Sequence, residues 1–203
     1  MKLKDNTSFK ITVIGTGATG SHFISMITQI YSNFIEEIES LLLIDGDDFE
    51  EKNLKNQKCL LNDINKNKAE VLSERYKKVY PNIAISNYNK YIKNSNQFID
   101  ILCYRGFMND LQYSNNKKIE LIIGTVDNDK TRTIINETIK KIKDEDTSYI
   151  YIDAGNDTDN MTGQVYINYY IDYYKTKNGN RGGYLENKLL TEVYPDILES
   201  KKK

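Results

Sequence analysis

The chain contains 203 residues, a length typical of one domain or slightly more. Apolar residues make up 39% and charged residues 28% of the sequence, an ordinary composition for a globular protein with a core. The 28 basic and 29 acidic side chains give a net charge of −1, which argues against a strongly basic nucleic-acid surface. The longest aliphatic run, Leu41–Ile44, is too short for a membrane span, and Met1–Lys10 lacks the apolar core of a signal peptide. We therefore expect a cytoplasmic protein that binds neither nucleic acid nor membrane.

The first half of the chain alternates short apolar strands with amphipathic helices. We predict strands at Phe9–Gly15 and Leu41–Asp45 and a weaker strand at Ile83–Ser86. Apolar residues at helical spacing predict a helix between the first two strands: Phe23, Met26, Ile27, Ile30 and Phe34. A second helix is predicted at Lys68–Tyr80, before a proline that cannot continue it. The polar stretch Asn53–Asn67 has no clear period and is predicted to be a loop.

The second half continues the same alternation. We predict a short helix around Phe98, a strand at Ile119–Gly124, a helix at Asn128–Lys143 and a strand at Tyr149–Asp153. This order predicts an α/β, Rossmann-like fold: a mostly parallel sheet with helices on both faces. The longer alternating segment Gln164–Tyr174 predicts a further strand, which we expect to run antiparallel.

A glycine-rich loop follows the first predicted strand. Gly15, Gly17 and Gly20 form the pattern GxGxxG, in which the first glycine permits a tight turn and the second lets the backbone approach a phosphate. The third lets the helix pack closely on the sheet, and the helix N-terminus offers free amides to an anion. Asp45 ends the second strand, where a carboxylate can accept hydrogen bonds from ribose hydroxyls. These residues favour a nucleotide site without separating NAD, FAD and ATP.

Later residues favour ATP among these nucleotides. Asp45 begins an acidic segment that a dehydrogenase does not need, Lys68 opens the second helix, and Asp127 follows a predicted parallel strand. Ligands of open α/β sheets bind at the carboxyl ends of the strands, so these residues would share one edge. The set suits ATP with magnesium, because lysine offsets phosphate charge and a carboxylate is a hard oxygen ligand for Mg²⁺.

Five segments in this order resemble the ThiF/MoeB/ubiquitin-activating enzyme superfamily: GTGATGS, DGDDFEEKNLKNQ, KAE, TVDNDKTR and YIDAG. The pattern common to that superfamily is a GxGxxGS loop, then DxDxVexSNLxRQ, then a lysine and a D-N-x-x-x-R segment. The resemblance covers Ile11 to Val165. Within the superfamily, the chain resembles the ThiF-like proteins of the bacterial PRTRC system. It implies ATP-dependent adenylation of the C-terminal glycine carboxylate of a ubiquitin-like or sulfur-carrier protein, with release of pyrophosphate, by a homodimer.

Carried onto this chain, the resemblance implies nine nucleotide-binding residues: Gly15, Gly17, Gly20, Asp45, Asp47, Asn53, Asn56, Gln57 and Lys68. Asp45 would hold the ribose, and Asn53 and Gln57 would lie near the phosphates. Lys68 would contact phosphate and Asp127 would bind Mg²⁺, which makes these two the implied catalytic residues.

The chain departs from the family pattern in two places. Asn56 stands where the family usually has arginine, and an amide replaces neither the charge nor the donor fork of a guanidinium. In some members of the superfamily, the N-terminus of the partner subunit supplies an arginine to the site, but Met1–Lys10 of this chain contains none. Either a nearby lysine substitutes, adenylation is weak, or ATP is bound without turnover. No cysteine follows Cys103, so we expect this sequence to adenylate at most, without thioester or persulfide transfer.

The sequence allows more than one assignment for several residues. We expect residues 1–175 to form the adenylation domain and 176–203 to be a loop and tail, at the start of a truncated C-terminal region. Arg132 would brace a loop, whereas Asp153 and Asn156 either line the acyl-substrate groove or cap a loop. Tyr166–Tyr174 forms one face of a strand or a dimer surface. The rival functions are a nucleotide-binding pseudoenzyme that recognises a partner without turnover, and an NAD(P)-binding reductase indifferent to Mg²⁺.

Overall fold

The computed structural model describes residues 7–31, 38–104, 117–144, 148–157, 162–173 and 183–195. Within them, seven strands form one sheet in the order β3-β2-β1-β4-β5-β6-β7. The strands are β1 (Thr7–Ile14), β2 (Ile38–Ile44), β3 (Ile85–Tyr88), β4 (Lys117–Gly124), β5 (Tyr149–Asp157), β6 (Thr162–Tyr173) and β7 (Gly183–Glu186). The helices are α1 (Ala18–Tyr31), α2 (Lys68–Val79), α3 (Ser95–Tyr104), α4 (Asp129–Asp144) and α5 (Leu190–Val193).

The strand order confirms the predicted α/β, Rossmann-like fold. Strands β3, β2, β1, β4 and β5 are parallel, whereas β6 pairs antiparallel with β5 and with β7. The chain therefore builds outward from β1 to β3, returns to the centre, and builds outward again from β4. This reversal leaves a crevice between the carboxyl ends of β1 and β4, where ligands of open α/β sheets bind.

Helices pack on both faces of the sheet, as predicted. Ile24 of α1 and Leu72 of α2 are fully buried in the cluster on one face. On the other face, Phe98 of α3, Ile135 of α4 and Leu190 of α5 join a second buried cluster. The sheet is thus enclosed by apolar residues on each side, which fixes the strand ends in position. No helix in the described ranges is long and apolar enough to cross a membrane.

The apolar residues that predict α1 do not all face the core. Ile24 and Thr28 are fully buried, but Met26 is 63% exposed and Ile30 is 46% exposed. Thr28 can be buried beside Ile24 because its hydroxyl donates to the Ile24 carbonyl, 2.8 Å away. Phe34, the last residue of that pattern, lies outside the described residues.

Three other segments differ from the sequence prediction. The loop predicted at Asn53–Asn67 contains two 3₁₀ turns, Glu51–Lys55 and Leu61–Asp63, the first beginning just ahead of it. β3 begins at Ile85, two residues later than predicted. Within residues 176–203, expected to be a loop and tail, the described part contains β7 and α5. The rest of the predicted loop and the lysine tail lie outside the described residues.

A buried asparagine attaches this last segment to the sheet. The Asn168 amide nitrogen donates to the carbonyl oxygens of Asn187 (2.9 Å) and Lys188 (2.9 Å). Leu189 and Leu190 follow directly and are buried in the cluster that contains α4. They pack against residues that lie far away along the chain, so local periodicity carries no signal for their burial.

Gly20 lets α1 approach the sheet closely. A Cβ at this position would overlap the Gly15 carbonyl oxygen and lie 2.7 Å from the Thr125 hydroxyl oxygen. The nearest atom to a Cβ on Gly17 is the Gln57 side-chain nitrogen, 3.9 Å away. The two glycines therefore differ sharply: one is required by packing, and the other borders open space.

This difference predicts opposite effects on stability. Gly20→Ala should lower the free energy of unfolding by about 3 kcal/mol or more, because the methyl group meets backbone that cannot move aside. Gly17→Ala should leave stability within about 1 kcal/mol of the wild type. Urea unfolding followed by circular dichroism measures both. Equal destabilisation by the two substitutions would contradict the packing described here.

Candidate functional site

A cavity of about 610 Å³ opens at the carboxyl ends of β1, β2 and β4. It lies at the crevice created by the reversal of strand order, and its size is within the range of small-molecule sites, roughly 300–1,000 Å³. Its lining includes eight residues singled out in the sequence: Gly15, Gly17, Asp45, Asp47, Gln57, Lys68, Asp127 and Arg132. Stretches that lie far apart in the sequence therefore converge on one cavity.

The Asp45 carboxylate fixes the glycine-rich loop against the end of β2. One oxygen accepts from the backbone N–H of Thr16 (2.6 Å) and from its hydroxyl (2.8 Å), and the other accepts from the Asp47 N–H (2.9 Å). Gly15 has a φ of +86°, a conformation that favours glycine, and its N–H donates to the Ile44 carbonyl (2.9 Å). The loop is thus held in one conformation before any ligand arrives.

Lys68 lies at the first turn of α2, next to the acidic segment. Its backbone N–H donates to the Asp47 carbonyl (2.9 Å), and its ammonium lies 3.4 Å from an Asp47 carboxylate oxygen. Asn67 caps the helix by accepting from the Glu70 N–H, and its own amide donates to the carbonyls of Asp45 and Asp47. A lysine whose side chain is only 9% exposed is therefore brought to the cavity by the helix cap.

The three predicted amides do not share one environment. Gln57 lines the cavity, and its buried side-chain oxygen has no hydrogen-bond partner in the part of the chain that is described. Asn53 is turned inward, where its side-chain oxygen accepts from the Glu50 N–H (2.8 Å) and closes the 3₁₀ turn. Asn56 is exposed. Neither Asn53 nor Asn56 lines the cavity, and Gly20 lies behind it, against the Gly15 carbonyl.

Asp127 lies at the rim of the cavity, in the loop between β4 and α4. It is exposed, and its carboxylate accepts a long hydrogen bond from the Asn128 side-chain amide, 3.5 Å away. The Asn128 side-chain oxygen accepts from the Thr131 N–H (2.9 Å) and so caps α4. No cluster of three or more acidic, histidine or cysteine side chains suited to a metal occurs among the described residues. Asp127 is therefore a single carboxylate that faces the cavity.

Arg132 braces this loop from below. Its guanidinium donates to the Val126 carbonyl (2.6 Å) and to both Asp153 oxygens (3.1 and 3.3 Å). The Tyr151 hydroxyl also donates to Asp153 (2.6 Å), and burial raises the pKa of Tyr151 well above its usual value, so the hydroxyl stays protonated. Asp153 is 2% exposed and does not line the cavity. Its contacts with Arg132 and Tyr151 hold the loop in place. The Asn156 side chain lies outside the described part.

The cysteines and the histidine lie away from the cavity. Cys59 is buried and Cys103 half-buried, and burial raises the pKa of both thiols. His22 is exposed in the first turn of α1. None of the three lines the cavity. They offer no nucleophile or metal ligand to it.

Sequence reasoning missed the contribution of the loop after β3. Lys90, Tyr91 and Ile92 line the cavity. The signal that could have found them is topological: β3 is a parallel strand beside β2, so the residues after it emerge at the same edge. The weak sequence pattern of β3 and the unassigned stretch that follows it hid this signal.

The strand order and the cavity define a Rossmann-like α/β protein with a cavity at the reversal of strand order. Residues 2–177 match the ThiF family, and the chain belongs to that family. The resemblance seen in the sequence is thereby confirmed, while the narrower PRTRC branch stays a prediction. A search of the curated proteins found no match.

Solved structures share the fold. E. coli TcdA, a tRNA N6-threonylcarbamoyladenosine dehydratase solved with AMP, is 17% identical with a TM-score of 0.50, over 72% of this chain and 50% of TcdA. E. coli MccB solved with ATP is 23% identical with a TM-score of 0.50, over 76% of this chain and 38% of MccB. MccB solved with AMPCPP and MccA is 21% identical, with the same TM-score and coverage. The chain thus spans half the length of TcdA and less of MccB.

The Arg132 brace predicts a specific loss of stability. Arg132→Met keeps much of the side-chain volume but leaves the buried Asp153 carboxylate without its cation, so the free energy of unfolding should fall by roughly 3–5 kcal/mol. Lys52→Met is the control, because Lys52 pairs with Glu50 on the surface and its loss should cost about 0.5 kcal/mol or less. Urea unfolding measures both, and a neutral Arg132→Met would refute the brace.

Proposed function

We propose that the protein binds ATP with Mg²⁺ in this cavity and adenylates the C-terminal carboxylate of a protein or peptide. One observation carries the proposal: Gly17, Asp45, Lys68 and Asp127 line the same cavity although they lie far apart in the sequence. Membership of the ThiF family supports it. So do the ligands of the two structural neighbours, since TcdA was solved with AMP and MccB with ATP.

The residues present fit a magnesium nucleotide. Open space beside Gly17 allows phosphates to approach the backbone, and the first turn of α1 directs helix amides toward them. The unpartnered oxygen of Gln57 is a buried polar atom that a bound ligand or its water could satisfy. Asp127 would supply one oxygen ligand to Mg²⁺, and the phosphates and water would supply the others, as this ion prefers.

The proposed reaction depends on positioning and charge. The substrate carboxylate attacks the α-phosphorus, the bond to the pyrophosphate oxygen breaks, and an acyl-adenylate and pyrophosphate result. Lys68 would stabilise the charge that develops on the phosphate oxygens, while Asp47 fixes the direction of its ammonium. Asp45 would accept from a ribose hydroxyl with the one lone pair that its contacts with Thr16 and Asp47 leave free. Bound Mg²⁺ would supply further neutralisation of the phosphates.

For the acyl substrate we propose a ubiquitin-like or sulfur-carrier protein that ends in glycine. The family resemblance supports a protein partner, and MccB was solved with the peptide MccA. We propose that the adenylation domain occupies residues 1–175, with the described segment after it attached to the same sheet through β7.

We further propose a homodimer formed through one face of β6. Val165 is 68% exposed and Ile167 47% exposed, whereas Tyr166 and Tyr170 point to the opposite, core-facing side. The apolar side of this strand is thus open, and a second copy of the chain would remove it from water. In this proposal the dimer contact near the tyrosine-rich segment is formed by the aliphatic residues Val165 and Ile167, and the tyrosines Tyr166 and Tyr170 face the core.

Nucleotide binding and turnover test the main proposal. Isothermal titration should show that ATP binds in the presence of Mg²⁺ and that NAD does not. Lys68→Met should weaken binding about 10- to 100-fold, because it removes a charged contact to phosphate. Gly17→Ala should weaken it at unchanged stability, and Lys52→Met should have no effect. NAD binding without Mg²⁺ dependence would instead support a reductase.

Pyrophosphate exchange separates the enzyme from the pseudoenzyme. With small proteins that end in Gly-Gly as candidate substrates, the wild type should exchange labelled pyrophosphate into ATP. Asp127→Asn should reduce this exchange about 10²- to 10³-fold, as for the loss of one charge contact in the transition state. Tight ATP binding without exchange for any candidate would favour a partner-recognition module.

The dimer has its own test. Light scattering coupled to gel filtration should give twice the 23.6 kDa mass of the chain. Ile167→Lys should give a monomer, because a charge would enter the apolar contact. Val193→Lys is the matched control, an apolar residue of α5 that is 42% exposed on another surface. A monomeric wild type would refute the proposed contact.

A further inference from the structure

Tyr91 is an aromatic side chain at the cavity that the proposed chemistry does not use. Its ring lies against Gly46: a Cβ at Gly46 would come within 2.6–2.7 Å of three ring carbons. Its hydroxyl donates to the Asp47 carboxylate. This hydrogen bond, together with burial, raises the pKa of Tyr91 to about 12, so the hydroxyl remains a donor at neutral pH. One face of the ring is therefore packed on backbone, and its far end is tethered.

The rest of the ring is open. Tyr91 is 63% exposed and lines the cavity together with its neighbour Ile92. An exposed tyrosine on a loop ordinarily samples several rotamers, and holding it in one of them costs conformational entropy. Here the Gly46 contact and the Asp47 hydrogen bond fix it before a ligand binds. The result is a flat aromatic surface held at the entrance of a polar cavity.

The position of this surface identifies what it would meet. Gly46 and Asp47 follow directly on Asp45, the proposed ribose acceptor. The glycine-rich loop, which contacts Asp45 through Thr16, is the proposed phosphate site. Ile44, Ile92 and Val126 add apolar lining to the cavity. In a nucleotide with its ribose at Asp45 and its phosphates at Gly17, only the base is not yet assigned a contact. An apolar aromatic surface is suited to stack against a base.

We propose that Tyr91 is the stacking platform for the base of the bound nucleotide. This inference rests on the proposed function and assigns a residue to the base. The π-face of tyrosine is attracted to any base, so the platform adds affinity with little choice between purines. The Tyr91 hydroxyl contacts Asp47, and Asp47 contacts the Lys68 ammonium, so a test of the platform must separate a loss at the base from a loss at the phosphates.

Separating the base from the phosphates provides the test. Wild type, Tyr91→Ala and Tyr91→Phe are titrated with ATP·Mg²⁺ and with inorganic tripolyphosphate·Mg²⁺, which carries the phosphates but no base. Tyr91→Ala should weaken ATP binding about 5- to 150-fold, the usual range for one stacked base, and leave tripolyphosphate binding unchanged. Tyr91→Phe, which keeps the ring, should bind ATP within about threefold of the wild type.

Four results would overturn the inference. If Tyr91→Ala binds ATP as well as the wild type, the ring does not contact the base. If it binds ATP more tightly, the ring obstructs the cavity. If the affinities for ATP and tripolyphosphate fall equally, Tyr91 acts through Asp47 and Lys68 alone. If the wild type binds tripolyphosphate but gains nothing from the base of ATP, no platform exists. A wild type that binds neither ligand would refute the proposed function itself, and this inference with it.

A fluorescence measurement provides a second readout. The chain contains no tryptophan, so Tyr91→Trp introduces a single fluorophore at the proposed platform. ATP should quench its emission by stacking, whereas tripolyphosphate should not. Tyr194→Trp is the control, because Tyr194 is 44% exposed and does not line the cavity. Unchanged emission of the Tyr91→Trp protein on saturation with ATP would contradict stacking.

Discussion

The carboxylate of Asp45 is the contact on which the site depends. It connects the end of β2 to the loop after β1 through two hydrogen bonds from Thr16, and a third bond, from the Asp47 N–H, shapes its own loop. Charge-assisted bonds of this kind are stronger than neutral ones, and here they join two loops that sheet pairing alone would leave loose. Since the same carboxylate is the proposed ribose acceptor, the group that shapes the cavity also belongs to its lining.

A second charged residue supports the opposite wall. Arg132 links the Val126 carbonyl on the β4 side to Asp153 on β5, so the loop that carries Asp127 is tied to two strands. Asp127 itself remains exposed at the rim. The framework is thus rigid behind the site, while the groups that would touch a ligand keep unused donors and acceptors. Such preorganisation lowers the entropy lost on binding.

The sequence predicted the parts of the site that local pattern or strand order determines. Gly15, Gly17 and Asp45 follow strands whose apolar runs are plain, and the structure places them together. Asn53 is different, because a 3₁₀ turn rotates its side chain inward onto Glu50, a choice that spacing does not reveal. To predict that Tyr91 reaches the cavity, one has to know that β3 lies beside β2. To predict that Leu189 is buried, one has to know that it packs in the cluster that contains α4. In each failure a tertiary contact, absent from any short window of sequence, decides the outcome.

The charges that line the cavity bear on the replacement of the family's usual arginine by Asn56, although Asn56 lies outside the lining. The ionisable lining residues are three acids, Asp45, Asp47 and Asp127, and three bases, Lys68, Lys90 and Arg132, so the formal charge is zero. Two of the bases already face acids, Lys68 at Asp47 and Arg132 at Asp153. An arginine at position 56 would have added positive charge; without it, the proposed site would hold the phosphates with helix amides, Lys68, Lys90 and Mg²⁺. The proposed ATP site would therefore depend on Mg²⁺ more steeply than a site lined by an excess of cations, because its lining carries no net positive charge to offset a triphosphate.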